Sequence, residues 1–379
     1  MPASSSRQLR PSGPSGSPSR RRRPALFGGL AGAVALVLCA SGVLGGSGAA
    51  AAPAVPGQGE SPGTAAAATV DHVEHFDGSG PAGYRSGVPA AAPDRLVERR
   101  RPLAPVERRG DGRVSALQRT GPSAERLDIV FIGDGYTADQ QEDFRQDAEA
   151  KWADVAAIEP FTSHTGQMNV WTVEAVSRDS GVSGDPAQDV VKDTALGTYF
   201  WCDGMERLLC ADLTRVDSYA RQAPAADIVI VVANSAKYGG AGYNRLTGYP
   251  FDGVSTLSSD HDSSSLIAVH EAAHSIGRLA DEYDEGESGV YQGPEPEDVN
   301  ISTYPAQEMA DRGAKWHDWL GKPDPAGGST GTFEGAGYYR QGLYRPTETS
   351  LMRDFSVREF NNPSRQGLVD GFERYTHGE

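Results

Sequence analysis

Apolar residues in this chain come in short dense runs, separated by stretches with helical spacing. From Arg126 to Ile132 the chain reads as a strand that is apolar apart from Arg126 and Asp128, and Gly133-Asp134-Gly135 ends it in a turn. Thr137 and Gln140 then form a capping box. Phe144, Ala148, Trp152 and Val155 recur on one helical face down to about Ala157. Met168 to Val176 alternates well enough for another strand. Asp227 to Ala233 is almost wholly apolar, which predicts a central strand buried on both faces. Leu266, Val269, Ala273 and Ile276 mark the buried side of a further helix, capped by Asp262 or Ser263 and ended by Gly277 in a left-handed turn. Strands separated by helices predict an α/β layer arrangement.

The two ends of the chain behave differently. Every charged residue before Pro53 is an arginine, and Ser19-Arg20-Arg21-Arg22-Arg23 precedes an apolar run from Ala25 to Leu44 that gives way to small residues. That pattern predicts a secretory signal peptide over residues 1–52 and a secreted, extracellular protein, with no stable membrane association after cleavage. Residues 53–117 are poor in large apolar side chains and read as a disordered linker or propeptide, within which His72 and His75 are candidates to cap a metal. The stretches Val97-Glu98-Arg99-Arg100-Arg101 and Arg108-Arg109 invite processing proteases. The catalytic domain is expected over residues 118–379. From Asp284 to about Thr349 the chain is rich in Gly, Pro and acids, which predicts long loops, with helical character from Ala306 to Trp319. A last helix is expected from Arg358 to Tyr375, after a turn at Asn361-Asn362-Pro363.

Charge and cysteine content narrow the function. A formal charge of −16 argues against nucleic acid as a partner and favours divalent metals and cationic peptides. Cys202 and Cys210 are the pair left once the apolar run holding Cys39 is removed, and they predict one disulfide. Gly327-Gly328-Ser329-Thr330-Gly331 fits the G-x-S-x-G pattern, but Lys322-Pro323-Asp324-Pro325 before it cannot supply the strand that a nucleophile elbow needs.

The chemistry is concentrated at His270-Glu271-Ala272-Ala273-His274, an H-E-x-x-H motif. On a helix the two histidines share a face and can bind one zinc ion (Zn2+), and Glu271 beside them can take a proton from a water activated at the metal. The third ligand falls to Asp281, with Glu282 in reserve and Asp284, His261 and His317 as remoter choices. Tyr283, Tyr243 and Arg353 are candidates to steady the oxyanion, and Met352 is a candidate for a turn beneath the metal. The acidic loops leave room for a structural calcium ion (Ca2+).

Together with Leu279-Ala280-Asp281-Glu282-Tyr283, this motif resembles the H-E-x-x-H…L-x-D-E-Y pattern of the IgA peptidase family of zinc metallopeptidases. Ile129 to Thr137 resembles the opening strand of that family, Asp193-Thr194-Ala195 and Glu206-Arg207-Leu208-Leu209 its middle, and Leu351-Met352-Arg353 its methionine turn. The resemblance extends from Leu127 to Phe372. It implies a metzincin-like domain: a mixed twisted sheet, an active-site helix and long C-terminal loops. It also implies His270, His274 and Asp281 as metal ligands and Glu271 as the catalytic residue. The expected function is a secreted zinc endopeptidase acting on protein or peptide substrates. A zinc amidase of cell-wall peptides, or a binding module with a vestigial metal site displaying Tyr338, Tyr339 and Tyr344, stands as the alternative.

Overall fold

The computed structural model describes residues 111–377 apart from 245, 247 and 285–288, together with four short strands between 69 and 89. The expected signal peptide, Cys39, His72 and the two arginine clusters lie outside the described residues. Twelve strands run along the described residues. They are β1 (Thr69–Val70), β2 (Val73–His75), β3 (Gly83–Arg85), β4 (Val88–Pro89), β5 (Arg113–Gln118), β6 (Leu127–Asp134), β7 (Met168–Glu174), β8 (Ile228–Ala233), β9 (Gly240–Tyr243), β10 (Gly253–Ser258), β11 (Phe333–Ala336) and β12 (Tyr339–Arg345).

One mixed sheet has the order β3-β2-β9-β10-β8-β6-β7-β5. Strands β10, β8, β6 and β7 are mutually parallel, and β9 and β5 flank them antiparallel. The expected strands are thus present, and Ile228–Ala233 is central as its apolar run requires. Side chains alternate between two buried layers. Ile129, Phe131, Ile230 and Val232 face the long helices Gln141–Ala156, Ser264–Gly277 and Asn362–His377. Val130, Ile132, Val229 and Val231 face the segment around the helix Leu213–Ala220. A sheet covered on both sides has no polar face, so its strands read as runs rather than alternations.

Several expectations are corrected in detail. β5 begins at Arg113, inside the stretch read as linker, and β1 to β4 also come from that stretch. The glycine-rich stretch Gly239 to Asn244 supplies strand β9. The loop region after Asp284 contains the β11–β12 hairpin, and its helix is shorter than expected, Ala306–Arg312 followed by a turn at His317–Trp319. Other expectations hold: Gln140 Oε1 accepts the Thr137 N–H at 3.2 Å, and Phe144, Ala148, Trp152 and Val155 are buried. Cys202 and Cys210 are joined in a disulfide. Among the described residues no helix is long and apolar enough to cross a membrane.

Two aspartates, the buried Asp134 and the half-buried Asp227, tie loops to this frame. Asp134, at the end of β6, accepts hydrogen bonds from Thr194 Oγ1, Leu196 N, Thr198 N and Thr198 Oγ1, so the middle segment docks onto the opening strand. At the other end Asp227 accepts the Asp128 N–H at 2.7 Å. Burial, with Asp128 and Asp252 nearby, raises the Asp227 carboxyl to about 7. The folded state therefore favours the protonated form. That contribution is complete below about pH 4 and is lost as pH rises through about 7. Asp227→Asn keeps the acceptor and removes the charge, so it should stabilise the protein by roughly 1–3 kcal/mol at pH 8 and flatten its pH dependence. Thermal melts at pH 5 and pH 8 check this; an unchanged slope in the variant would contradict it.

Candidate metal centre

The site is built on the helix Ser264–Gly277, which is buried along almost its whole length, with only Ser275 partly exposed. It lies unusually close to the sheet because β9 offers glycines where side chains would intervene. A Cβ on Gly240 would come 2.7 Å from Ile267 Cγ2, and one on Gly242 would come 1.8 Å from Glu271 Oε2. The Glu271 carboxylate therefore rests directly on the β9 backbone.

The helix ends one residue later than the sequence predicts. Arg278, not Gly277, takes the left-handed conformation, at φ 50° and ψ 47°. Gly277 is needed for space instead. A Cβ there would lie 2.9 Å from Leu279 Cγ and 3.2 Å from Leu368 Cγ, and a Cβ on Gly371 would lie 2.1 Å from the Ile276 carbonyl oxygen. Close crossing of the C-terminal helix fixes the end of the site helix, and the cost of a left-handed arginine, about 1–2 kcal/mol, is carried by that packing.

The turn that follows brings the polar groups together. His274 Nδ1 donates to the Leu279 carbonyl at 2.8 Å, and His270 Nδ1 donates to the Leu351 carbonyl at 3.2 Å. With Nδ1 protonated in each ring, the two Nε2 atoms carry the lone pairs, and they lie 3.1 Å apart. Asp281 Oδ1 lies 3.0 Å from the His270 Nε2 and 3.6 Å from that of His274. This oxygen is buried and accepts no hydrogen bond. A tetrahedral ion with bonds of about 2.0–2.1 Å needs ligand atoms roughly 3.3 Å apart, so the two nitrogens and this oxygen fit a zinc ion in spacing and in chemistry. The ligand atoms of His270, Glu271 and His274 also lie within 4.8 Å of one another.

Asp281 and Glu282 point to different surroundings. Asp281 Oδ2 accepts the Tyr338 hydroxyl, and the Asp281 carbonyl accepts Gly337 N–H at 2.9 Å. Glu282 turns away from the histidines into a wholly buried network, accepting from Ser350 Oγ, Asn300 Nδ2 and Asn361 Nδ2. Burial raises its carboxyl and these hydrogen bonds oppose the rise. Its backbone N–H donates to the Met352 carbonyl at 2.9 Å, so the segment 281–283 is held between the turn at Ser350–Arg353 and the start of β12. Met352 itself is fully buried beneath the site.

The remaining candidates separate on geometry. Tyr243 is buried in the opposite layer, where its hydroxyl accepts the Ala211 N–H. Arg353 donates to the Glu282 carbonyl and pairs with Asp284 at 3.5 Å, which makes it a brace of the turn. Tyr283 packs against Tyr338 and Phe355. His261 meets Tyr238 edge to face, and His317 pairs with Asp318. Tyr338, Tyr339 and Tyr344 are half-buried rather than displayed. Ser329 sits in a loop behind Gly327 and Gly328, both at positive φ, so no nucleophile elbow forms. Among the described residues the ligand atoms of His270, Glu271 and His274 form a converging group on the helix, and Asp281 meets the two histidines from the following turn. Sequence reasoning missed Tyr338 as the partner of Asp281 and missed the Asn300–Ser350–Asn361 cradle of Glu282. Each joins the motif from a distant segment with no local pattern of its own.

The sequence profile of the IgA Peptidase M64 family matches residues 115–328 and 322–372. None of the curated protein sequences matches the chain. The profile match takes in the opening strand, the H-E-x-x-H helix, the aspartate that meets it and the methionine turn, and with that arrangement of histidines and carboxylates the chain belongs to the IgA Peptidase M64 family.

Proposed function

We propose that this peptidase is a secreted, zinc-dependent endopeptidase in which His270, His274 and Asp281 hold the metal and Glu271 is the general base. The observation that carries the reading is the convergence of two Nε2 atoms and Asp281 Oδ1, 3.0–3.6 Å apart, with the Glu271 carboxylate alongside. When bound, zinc supplies Lewis-acid chemistry: it polarises a carbonyl oxygen and makes a water easier to deprotonate. The protein's own residues do the rest. The carbonyls of Leu351 and Leu279 fix the tautomer of each imidazole. Tyr338 steadies Asp281 through its second oxygen. Glu271, buried against Gly242, takes a proton from the attacking water and returns it to the leaving amine. Burial keeps competing solvent from these groups. The apolar run Ala25–Leu44 behind an arginine cluster, with a disulfide in the folded part, supports export to an oxidising compartment.

Metal dependence tests this directly. The purified protein should carry about one zinc per chain. A chelator should abolish hydrolysis of unfolded casein, and added zinc should restore it. Hydrolysis that persists at full rate in metal-free protein would overturn the proposal.

A further inference from the structure

We infer that β2 is a built-in occupant of the substrate edge, which keeps the peptidase inactive until the chain is cut behind it. This rests on the peptidase reading above and extends it to regulation. Within the body of the sheet, β9 is the strand on the side of the site. Its Gly242 touches the Glu271 carboxylate. Its other edge is the row of backbone N–H and C=O groups that an extended peptide would need in order to lie beside the catalytic group. That row is taken. β2 pairs antiparallel with β9, with Val73 opposite Tyr243 and Glu74 opposite Gly242. Paired strands lie about 4.8 Å apart, so the β2 backbone stands one strand spacing from the backbone on which Glu271 rests. β3 then pairs along the outside of β2 from Val73 to His75, and closes the edge further.

The contact is short, and that is what makes it reversible. Two register positions between β2 and β9 are too few to hold a separate strand in water. A covalent tether changes this, because it supplies an effective concentration on the order of millimolar. The tether runs from β4 to β5, and β5 sits at the far edge of the same sheet. Between them lie Arg99-Arg100-Arg101 and Arg108-Arg109. A cut at either cluster frees β1 to β4 and leaves every strand from β5 to β12 in place. A protease that recognises basic residues would therefore convert an occupied edge into an open one without disturbing the core.

The test uses the full zinc-loaded chain, with Val106–Arg109 replaced by the recognition sequence of a specific protease, and compares it before and after cutting. A second variant, Val73→Pro with Glu74→Pro, removes ladder donors from β2 without any cut. Both treatments should speed hydrogen exchange at Gly242, which Glu74 faces, at least tenfold and raise kcat/KM on an unfolded peptide at least tenfold, while Gly240, whose N–H donates to the Arg207 carbonyl, should not change. Zinc content and melting temperature should stay unchanged. Unchanged exchange at β9 overturns the inference, and so does faster exchange with unchanged kcat/KM. If no form hydrolyses any peptide, the peptidase reading fails by itself. The inference is then decided by a synthetic peptide of residues 69–89 added to the cut chain: restored slow exchange at β9 supports it, and no restoration overturns it.

Discussion

Glu271→Gln should lower kcat/KM by about 10³-fold or more while zinc content and melting temperature stay at the level of the unmodified protein. The substitution keeps the size and planarity of a side chain that is buried and pressed against Gly242, where no larger group fits. It leaves His270, His274 and Asp281 untouched. What it removes is the ability to accept a proton, which general-base catalysis supplies at about 10²–10⁴-fold. A drop in kcat at unchanged KM would place the loss in the chemical step. Glu271→Asp should be nearly as slow, because a shorter side chain withdraws the carboxylate from the histidines it stands beside. Metal analysis with single-turnover kinetics on one peptide checks all three proteins. Full activity in the glutamine variant would remove Glu271 from the mechanism.

Much of this site is legible along the chain, and the reasons are physical. The runs around Ile129–Ile132 and Ile228–Ala233 announce themselves because both faces of those strands are buried, so every position must be apolar. The histidines are legible because helical periodicity alone puts residues four apart on one face. β9 and β10 are not legible, because they are selected for something other than apolar bulk. Gly240 and Gly242 are there to let Ile267 and Glu271 come close, and a Cβ on Gly253 would fall 2.1 Å from Ser275 Oγ. A short strand such as β9, Gly-Ala-Gly-Tyr, carries no apolar run to mark it. Gly277 misleads in the opposite way: it stands where a terminating glycine belongs, yet it remains helical and Arg278 makes the turn. The choice between Asp281 and Glu282 cannot be made from composition, because both are carboxylates and they are adjacent. The two differ in their partners from elsewhere: Tyr338 for Asp281, and Asn300, Ser350 and Asn361 for Glu282.

That division of labour gives a crossed result. Asp281→Ala should weaken zinc binding by more than about 10²-fold and abolish hydrolysis, with the fold retained, because it deletes the oxygen proposed as third ligand, whose neighbours are the two Nε2 atoms. Tyr338→Phe should move in the same direction by about tenfold, since it frees Asp281 Oδ2 without removing the ligand. Glu282→Ala should behave differently. It leaves the donors of Asn300, Asn361 and Ser350 buried without their acceptor and opens a cavity beneath the site, at a cost of about 2–4 kcal/mol. Its folded fraction should still bind zinc more tightly than the Asp281 variant does. Zinc titration and denaturant unfolding on the same preparations separate the two effects. If Asp281→Ala kept its zinc while Glu282→Ala released it, the metal would have to be assigned to the neighbouring carboxylate, and the proton path through Glu271 would need a different geometry.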